Sequence, residues 1–315
     1  MRRNDFQYVC SNGFPKEPVV SVLVLAYNHE KFIAQALDSI VCQLTDFPYE
    51  IVVGEDCSSD TTKEICMDYQ RRYPDKVKLL LQKKNKGLIG NFCDTLRTCK
   101  GKYIAECAGD DFWNDCHKLQ KHVDYMNRHE DVVVTYHNAS TINGDTQIID
   151  YGYLSENRKK NFSSEELQRG VWIIPQTMCF RSVVTHELIE NINNNVYNED
   201  IFQISLFGLY GRGVFLDNID NSLYRMTEQS IWSLKSIIHK SLMASGTLGE
   251  LCLYYKRKNI LCLFEYYREK LISKISVIQD GPLDFSERKF ACKILIRYWK
   301  EIGIKNILHY LKCML

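Results

Sequence analysis

The sequence predicts an α/β fold, a mostly parallel sheet with helices on both faces, followed by an α-helical C-terminal extension. Five short apolar, β-branched runs recur between residues 19 and 136, each separated from the next by a stretch of helical periodicity. From about Ile231 only helical periodicity remains. Charge divides at the same place: residues 231–315 hold 15 Lys and Arg against 7 Asp and Glu, whereas the first 230 hold 25 against 32. An acidic body thus carries a basic tail segment, an asymmetry that marks a membrane- or partner-facing part.

The elements follow in order. Val19 to Ala26 is a continuous apolar run, the signature of a strand covered on both faces. Phe32, Ile33, Ala36, Leu37, Ile40, Val41 and Leu44 then recur at helical spacing. Ile51 to Val53 is the second strand, and Ser58 to Thr61 offers N-caps for a helix that ends near Tyr73, just before Pro74. Val77 to Leu81, Tyr103 to Cys107 and Val132 to Tyr136 complete the strands, with helices at Leu88 to Cys99 and Leu119 to Met126. Beyond Asn138 the pattern is irregular, with a Ser163-x-x-Glu166 capping box, short strands expected at Val171 to Ile174 and Met178 to Phe180, and a helix at Ile201 to Leu209. A domain boundary is expected near 230, separating 1–230 from a helical extension over 231–315.

Composition narrows the class. With 315 residues, 45% hydrophobic, 25% charged and a net charge of +1, this is an ordinary globular chain and not a nucleic-acid binder. Thirteen cysteines include no C-x-x-C pair, and no Cys/His pair has finger spacing. Met1 to Cys10 is polar and lacks the apolar core of a leader, so a reducing cytosol is the expected compartment. His29, His117, His122, His129 and His137 show no ligand spacing and read as surface or satisfied histidines.

In parallel sheets ligands gather at the carboxyl ends of the strands. Those ends carry Tyr27-Asn28-His29-Glu30, Gly54-Glu55-Asp56, Asn85-Lys86-Gly87 and Gly109-Asp110-Asp111. Neither G-x-G-x-x-G nor a P-loop is present where it should lie. Two adjacent carboxylates repel unless a cation sits between them, and hard oxygens in such a turn suit Mg²⁺ or Mn²⁺. Asp110-Asp111 alone could merely cap the next helix; its coincidence with the other rim turns favours a ligand site. Asn198-Glu199-Asp200 either complements a helix dipole or sets a general base over that pocket.

Residues 21–33, with Ala36 to Ile40 and Gln43, resemble the opening of family 2 glycosyltransferases. Glu55 to Thr62 resembles that family's Asp-x-Ser-x-Asp-x-Thr segment, and Asn85-x-Gly87, Gly101 to Ala105 and Gly109-Asp110-Asp111-Phe112-Trp113 match its middle. Glu199-Asp200, Tyr224-Arg225 and Ser230-Ile231-Trp232 follow in the family's order. Ala108 stands where relatives often carry an acid, and Met226 and Thr227 where they often carry a histidine.

The resemblance implies a GT-A fold and an inverting, metal-dependent transfer from a nucleotide-diphosphate sugar, with a UDP-sugar favoured, in bacterial surface-polysaccharide or glycoconjugate synthesis. The implied donor positions are Ala26, Tyr27, Asn28, Glu30, Asp56, Lys86, Gly87, Asp110 and Arg225. Asp110 and Asp111 hold Mn²⁺ or Mg²⁺, Asp200 is the base, and Glu199 is its competitor. The acceptor is a glycan or lipid-linked hydroxyl. The basic C-terminal helices are expected either to rest on the inner face of a membrane or to form a homo-oligomer. The rival functions are a sugar nucleotidyltransferase and a non-catalytic nucleotide-binding scaffold.

Overall fold

The computed structural model describes residues 6–9, 17–144, 146–226, 235–279 and 283–314. Its strands and helices run β1 (Phe6–Val9), β2 (Val20–Ala26), α1 (Ile33–Val41), β3 (Tyr49–Glu55), α2 (Thr62–Arg72), β4 (Val77–Gln82), α3 (Gly87–Thr98), β5 (Tyr103–Ala108), α4 (Lys118–Arg128) and β6 (Val132–Tyr136). Then come β7 (Ala139–Ile142), β8 (Ile148–Asp150), α5 (Ser164–Gln168), β9 (Cys179–Arg181), α6 (Thr185–Asn191), α7 (Glu199–Phe207), β10 (Arg212–Phe215) and β11 (Ser222–Arg225). The C-terminal region is helical: α8 (Ile237–Arg257), α9 (Leu261–Ile275), α10 (Phe285–Arg297), α11 (Trp299–Ile302) and α12 (Ile304–Met314).

The main sheet has the order β1-β4-β3-β2-β5-β9-β6-β10, and a small sheet has the order β11-β7-β8. In the main sheet β1 is antiparallel to β4 and β9 to both neighbours, while the other pairs are parallel. The five expected strands all form, and β3, β4 and β6 are buried along their whole length. Alternation along β2 explains the need for apolar residues at nearly every position. Val20, Val22, Val24 and Ala26 pack toward α1, α2 and α4, while Leu23 faces the layer of α3, α6 and α7. The edge strand β1 was not anticipated. Val171 to Ile174 forms no strand; it enters a 3₁₀ turn at Pro175 and packs Ile173 and Ile174 into the core as irregular chain.

The extension is tied to the sheet. Leu251, Tyr254 and Tyr255 of α8, with Leu263 and Tyr267 of α9, join the core behind α7. Burying aromatics here requires partners for their hydroxyls. Ser205 Oγ lies 2.8 Å from Tyr255 Oη and 2.9 Å from Tyr267 Oη, and Tyr267 donates to the Gln168 carbonyl at 2.7 Å. A separate cluster around Leu271, Ile294, Tyr298 and Ile307 joins α8 and α9 to α10–α12. The expected boundary at 230 and the Ser230-Ile231-Trp232 element lie outside the described residues.

Candidate active site

The carboxyl ends of β2, β3 and β5 and the N-terminus of α3 form one rim. Gly54 makes this possible: a Cβ there would collide with Thr95 Oγ1 and lie 2.7 Å from Asn91 Oδ1. Without it, α3 crosses close over β3, and Asn91 donates to the Gly54 carbonyl at 2.7 Å. The crossing sets the Lys86 amide 2.7 Å from Asp56 Oδ1. Asp56 is buried, its own amide bound to the Ala26 carbonyl at 3.0 Å. Burial lifts its pKa, while the Lys86 and Gly87 amides pull the other way. Gly87 opens α3 at φ +72°, a backbone that favours glycine.

Several implied donor residues act on the protein itself. The Lys86 ammonium bonds Asp94 at 2.5 Å, so its contribution at the rim is its backbone amide. Asn28, at φ +56°, accepts from the Ser59 amide at 2.9 Å and donates its own amide to Ser58 Oγ at 3.0 Å. Glu30 Oε2 accepts from the Thr61 amide at 3.1 Å and the Thr61 hydroxyl at 2.9 Å. Together they lace the loop after β2 to the loop after β3. Ala26 is buried beneath them, and Tyr27 is exposed beside them.

The Asp110-Asp111 turn follows β5. Asp111 is buried and its Oδ1 accepts the Arg225 amide at 2.7 Å. Burial, then the Asp110 charge, push its carboxyl well above the usual range. Asp110 lies nearer solvent, its Oδ2 4.0 Å from His29 Nε2. Among the described residues no Lys or Arg side chain forms an ion pair with either carboxylate. Adjacent, unneutralised oxygen donors at an open rim fit a hard divalent cation. Asp115, Cys116 and His117 also approach one another. There, however, Lys121 already neutralises Asp115 at 2.6 Å, so that group reads as a turn.

Arg225 is held by bonds within the protein. Its Nε donates to the Asp110 carbonyl at 2.9 Å, one terminal nitrogen reaches the Asn143 and Gly144 carbonyls at 3.0 and 3.1 Å, and the other reaches Gln35 Oε1 at 2.7 Å. Its guanidinium also lies 4.5 Å over the Phe32 ring. This is a strut between segments, not a free cation.

Glu199 and Asp200 begin α7, where the helix dipole favours carboxylates. Burial outweighs the dipole. It pushes Glu199 up to about 8, with the Asp200 charge adding to it, and raises Asp200 as well, opposed by α7 backbone amides and by the Trp172 indole. A third carboxyl, Glu106, was missed. It is buried on β5, opposite Leu23, and its Oε1 has no hydrogen-bond partner. Burial and then the Glu199 charge raise it to about 8, and the neighbouring Gln203 opposes this without an aligned hydrogen bond. The signal was available: a lone acid inside the apolar strand Tyr-Ile-Ala-Glu-Cys-Ala is costly to bury.

Tyr224 joins the two carboxylate groups. After burial, the charges of Asp111, Asp110 and Asp200 all act on its hydroxyl. Its ring lies 5.5 Å from Tyr153, which lies 5.5 Å from Trp172, so an aromatic wall runs from the Asp110-Asp111 turn toward Asp200. Elsewhere, His122 and His137 are core residues, held neutral by burial, and His122 Nδ1 lies 2.8 Å from Thr135 Oγ1.

The family model described as glycosyl transferase family 2 matches residues 21–188, more than half of the chain. The chain belongs to glycosyl transferase family 2. An uncharacterized protein of Mycobacterium tuberculosis is 39% identical over 126 residues, 40% of this chain and 36% of that one. The putative glycosyltransferase EpsE of Bacillus subtilis is 34% identical over 112 residues, 36% of this chain and 40% of its own length. The chain thus spans well under two thirds of these curated relatives.

Among solved structures, S. aureus TarS 1–349 in complex with UDP-GlcNAc superposes with a TM-score of 0.64 at 17% identity, over 91% of this chain and 82% of that one. The mannosyltransferase PcManGT from Pyrobaculum calidifontis, in complex with GDP-Man and Mn²⁺, gives 0.55 at 16% identity over 98% and 88%. At these identities the likeness shows the fold, which is GT-A with a helical C-terminal region.

Proposed function

We propose that this family 2 protein transfers a sugar, with inversion, from a nucleotide-diphosphate donor to an acceptor hydroxyl in polysaccharide or glycoconjugate synthesis on the cytoplasmic side of a membrane. One observation carries the reading: Asp110 and Asp111 stand together at the carboxyl end of β5, without a Lys or Arg ion pair among the described residues, on the rim that also holds Asp56. A UDP-sugar is the favoured donor. TarS, a poly(ribitol-phosphate) β-N-acetylglucosaminyltransferase of S. aureus, is 36% identical over 98 residues, and its structure with UDP-GlcNAc shares this fold.

In this reading Asp56 accepts a hydrogen bond from the base, with Ala26 and Tyr27 beside it. Asn28, Glu30, Lys86 and Gly87 fix the loops that position Asp56. Asp110 faces the ribose and, with Asp111, holds Mn²⁺ or Mg²⁺. When bound, the cation offsets charge on the departing diphosphate. Asp200 takes the proton of the attacking hydroxyl. The choice over Glu199 is electrostatic: the α7 amides and Trp172 support an anion at Asp200, while burial, with that anion adding to it, keeps Glu199 protonated up to about 8. Arg225 shapes the floor.

The test incubates the chain with UDP-GlcNAc, other UDP-sugars and GDP-mannose, each with Mg²⁺ and with water as surrogate acceptor, and follows nucleotide release and the anomer of the sugar first released by NMR. Release of UDP with inversion is expected. Pyrophosphate exchange would identify a nucleotidyltransferase, and donor binding without nucleotide release would leave a nucleotide-binding scaffold.

A further inference from the structure

Helices α10–α12 carry a basic surface. They hold seven Lys and Arg, all exposed, and two acids, Glu287 and Glu301, both buried. Glu287 accepts from Ser236 at 2.5 Å and Glu301 from Lys256 at 2.8 Å. The Lys, Arg, Asp and Glu charge these helices show to solvent is therefore all positive. Between the charges lies an apolar groove of about 300 Å³, walled by Leu295, Ile296, Trp299, Ile304, Ile307 and Leu311. Ile296 is 74% exposed and Trp299 50%.

The sequence of α12 explains how both features share one face. Ile307 and Tyr310 are buried against the core. Ile304, Leu308 and Leu311, at i, i+4 and i+7, are exposed and make the next stripe around the helix. Lys305 and Lys312 lie beyond that stripe, opposite the buried side. Core, exposed apolar stripe and basic flank thus follow one another around the barrel of the helix. On α10, Lys289, Lys293 and Ile296 repeat the mixture at i, i+4 and i+7.

A second copy of this chain is a poor cover. A two-fold contact sets a patch against itself, and here it would oppose lysine to lysine. A bilayer of anionic phospholipid offers what the surface lacks: hydrocarbon for the stripe and phosphates for the flank. Tryptophan at such a boundary is favoured. We propose that α10–α12 form a monotopic membrane contact, in which Trp299, Ile304, Leu308 and Leu311 enter the boundary between headgroups and acyl chains of an anionic bilayer while Lys300, Lys305 and Lys312 pair with lipid phosphates. The contact stands independently of the proposed reaction.

The test is co-sedimentation of the full chain with vesicles of phosphatidylglycerol and phosphatidylcholine, against vesicles of phosphatidylcholine alone. Binding to the anionic vesicles, released by high salt, is expected. The combined Lys300→Gln, Lys305→Gln and Lys312→Gln variant should bind about a hundredfold more weakly, at about fivefold per lysine. Leu308→Ser should also weaken binding, with the melting temperature nearly unchanged because the side chain is exposed. Equal binding to both vesicle types, or none to either, overturns the proposal. Self-association that Leu308→Ser abolishes, in a chain that ignores vesicles, assigns the face to a second copy instead.

Discussion

Replacing Glu106 by glutamine should make the protein more stable, and the gain should grow with pH. The side chain is buried on β5 beside Glu199 and Asp200, and its carboxyl is raised from the ordinary 4.5 to about 8. An acid whose folded-state pKa lies above its unfolded one contributes most below the unfolded value, and that contribution is lost as pH rises toward the folded value. Between 4.5 and 8 the wild type should therefore lose stability at this site by up to 1.36 kcal/mol per pH unit. From those two values the burden is about 1 kcal/mol at pH 5 and about 3 kcal/mol at pH 7. Glutamine matches the shape of the protonated acid, carries no proton to lose, and places an amide beside the unpartnered Gln203. Urea unfolding of both proteins at pH 5, 7 and 8 reads the difference directly. A variant that is less stable at pH 8, or whose gain is the same at pH 5 and pH 8, would refute the reasoning.

Three further outcomes follow from the site. Asp111→Asn keeps an oxygen for the Arg225 amide, so folding should be preserved while turnover falls by orders of magnitude; full turnover by this variant in EDTA would remove the metal from the scheme. Asp200→Asn should abolish transfer yet leave donor affinity near wild type by calorimetry, with Glu199→Gln milder; the reverse pattern in kcat exchanges their roles. Asp56→Asn retains an acceptor for the Lys86 amide but replaces the other carboxylate oxygen with a donor, so UDP affinity should fall about 10- to 100-fold at unchanged melting temperature, and unchanged affinity would detach Asp56 from the base.

The elements legible in the sequence were those whose burial is continuous. β2, β4 and β6 fall within a residue of their expected bounds because a strand covered on both faces is apolar at most positions. β1 was not legible, because an edge strand of four residues is specified by its partner β4 rather than by its own pattern. Val171 to Ile174 has strand composition, but Pro175 and its place in the core make it an irregular packing segment. Among site residues, the strand-end carboxylates could be read from the order of the elements. The side-chain commitments of Arg225 could not, since they depend on Asp110 and Asn143, distant in sequence, and neither could the bond from the Lys86 backbone amide to Asp56. Glu106 stands out in the sequence as a lone acid in an apolar strand, but its neighbours Glu199 and Gln203 are set by the placing of α7 and are not legible there.

The bonds of Arg225 have a consequence for how the rim opens. One guanidinium ties α1, the carbonyl of Asp110 and the tip of the β7–β8 hairpin. Where release of Arg225 is the step that opens both segments, their amides exchange with one rate. Hydrogen exchange at Asp111 and at Asn143 should then share one opening rate, set by the less stable of the two. The exposed hairpin tip at Thr146 and Gln147 is the natural place for a protease to cut. A nick there, far along the chain from any carboxylate of the site, would slacken the turn that carries two of them.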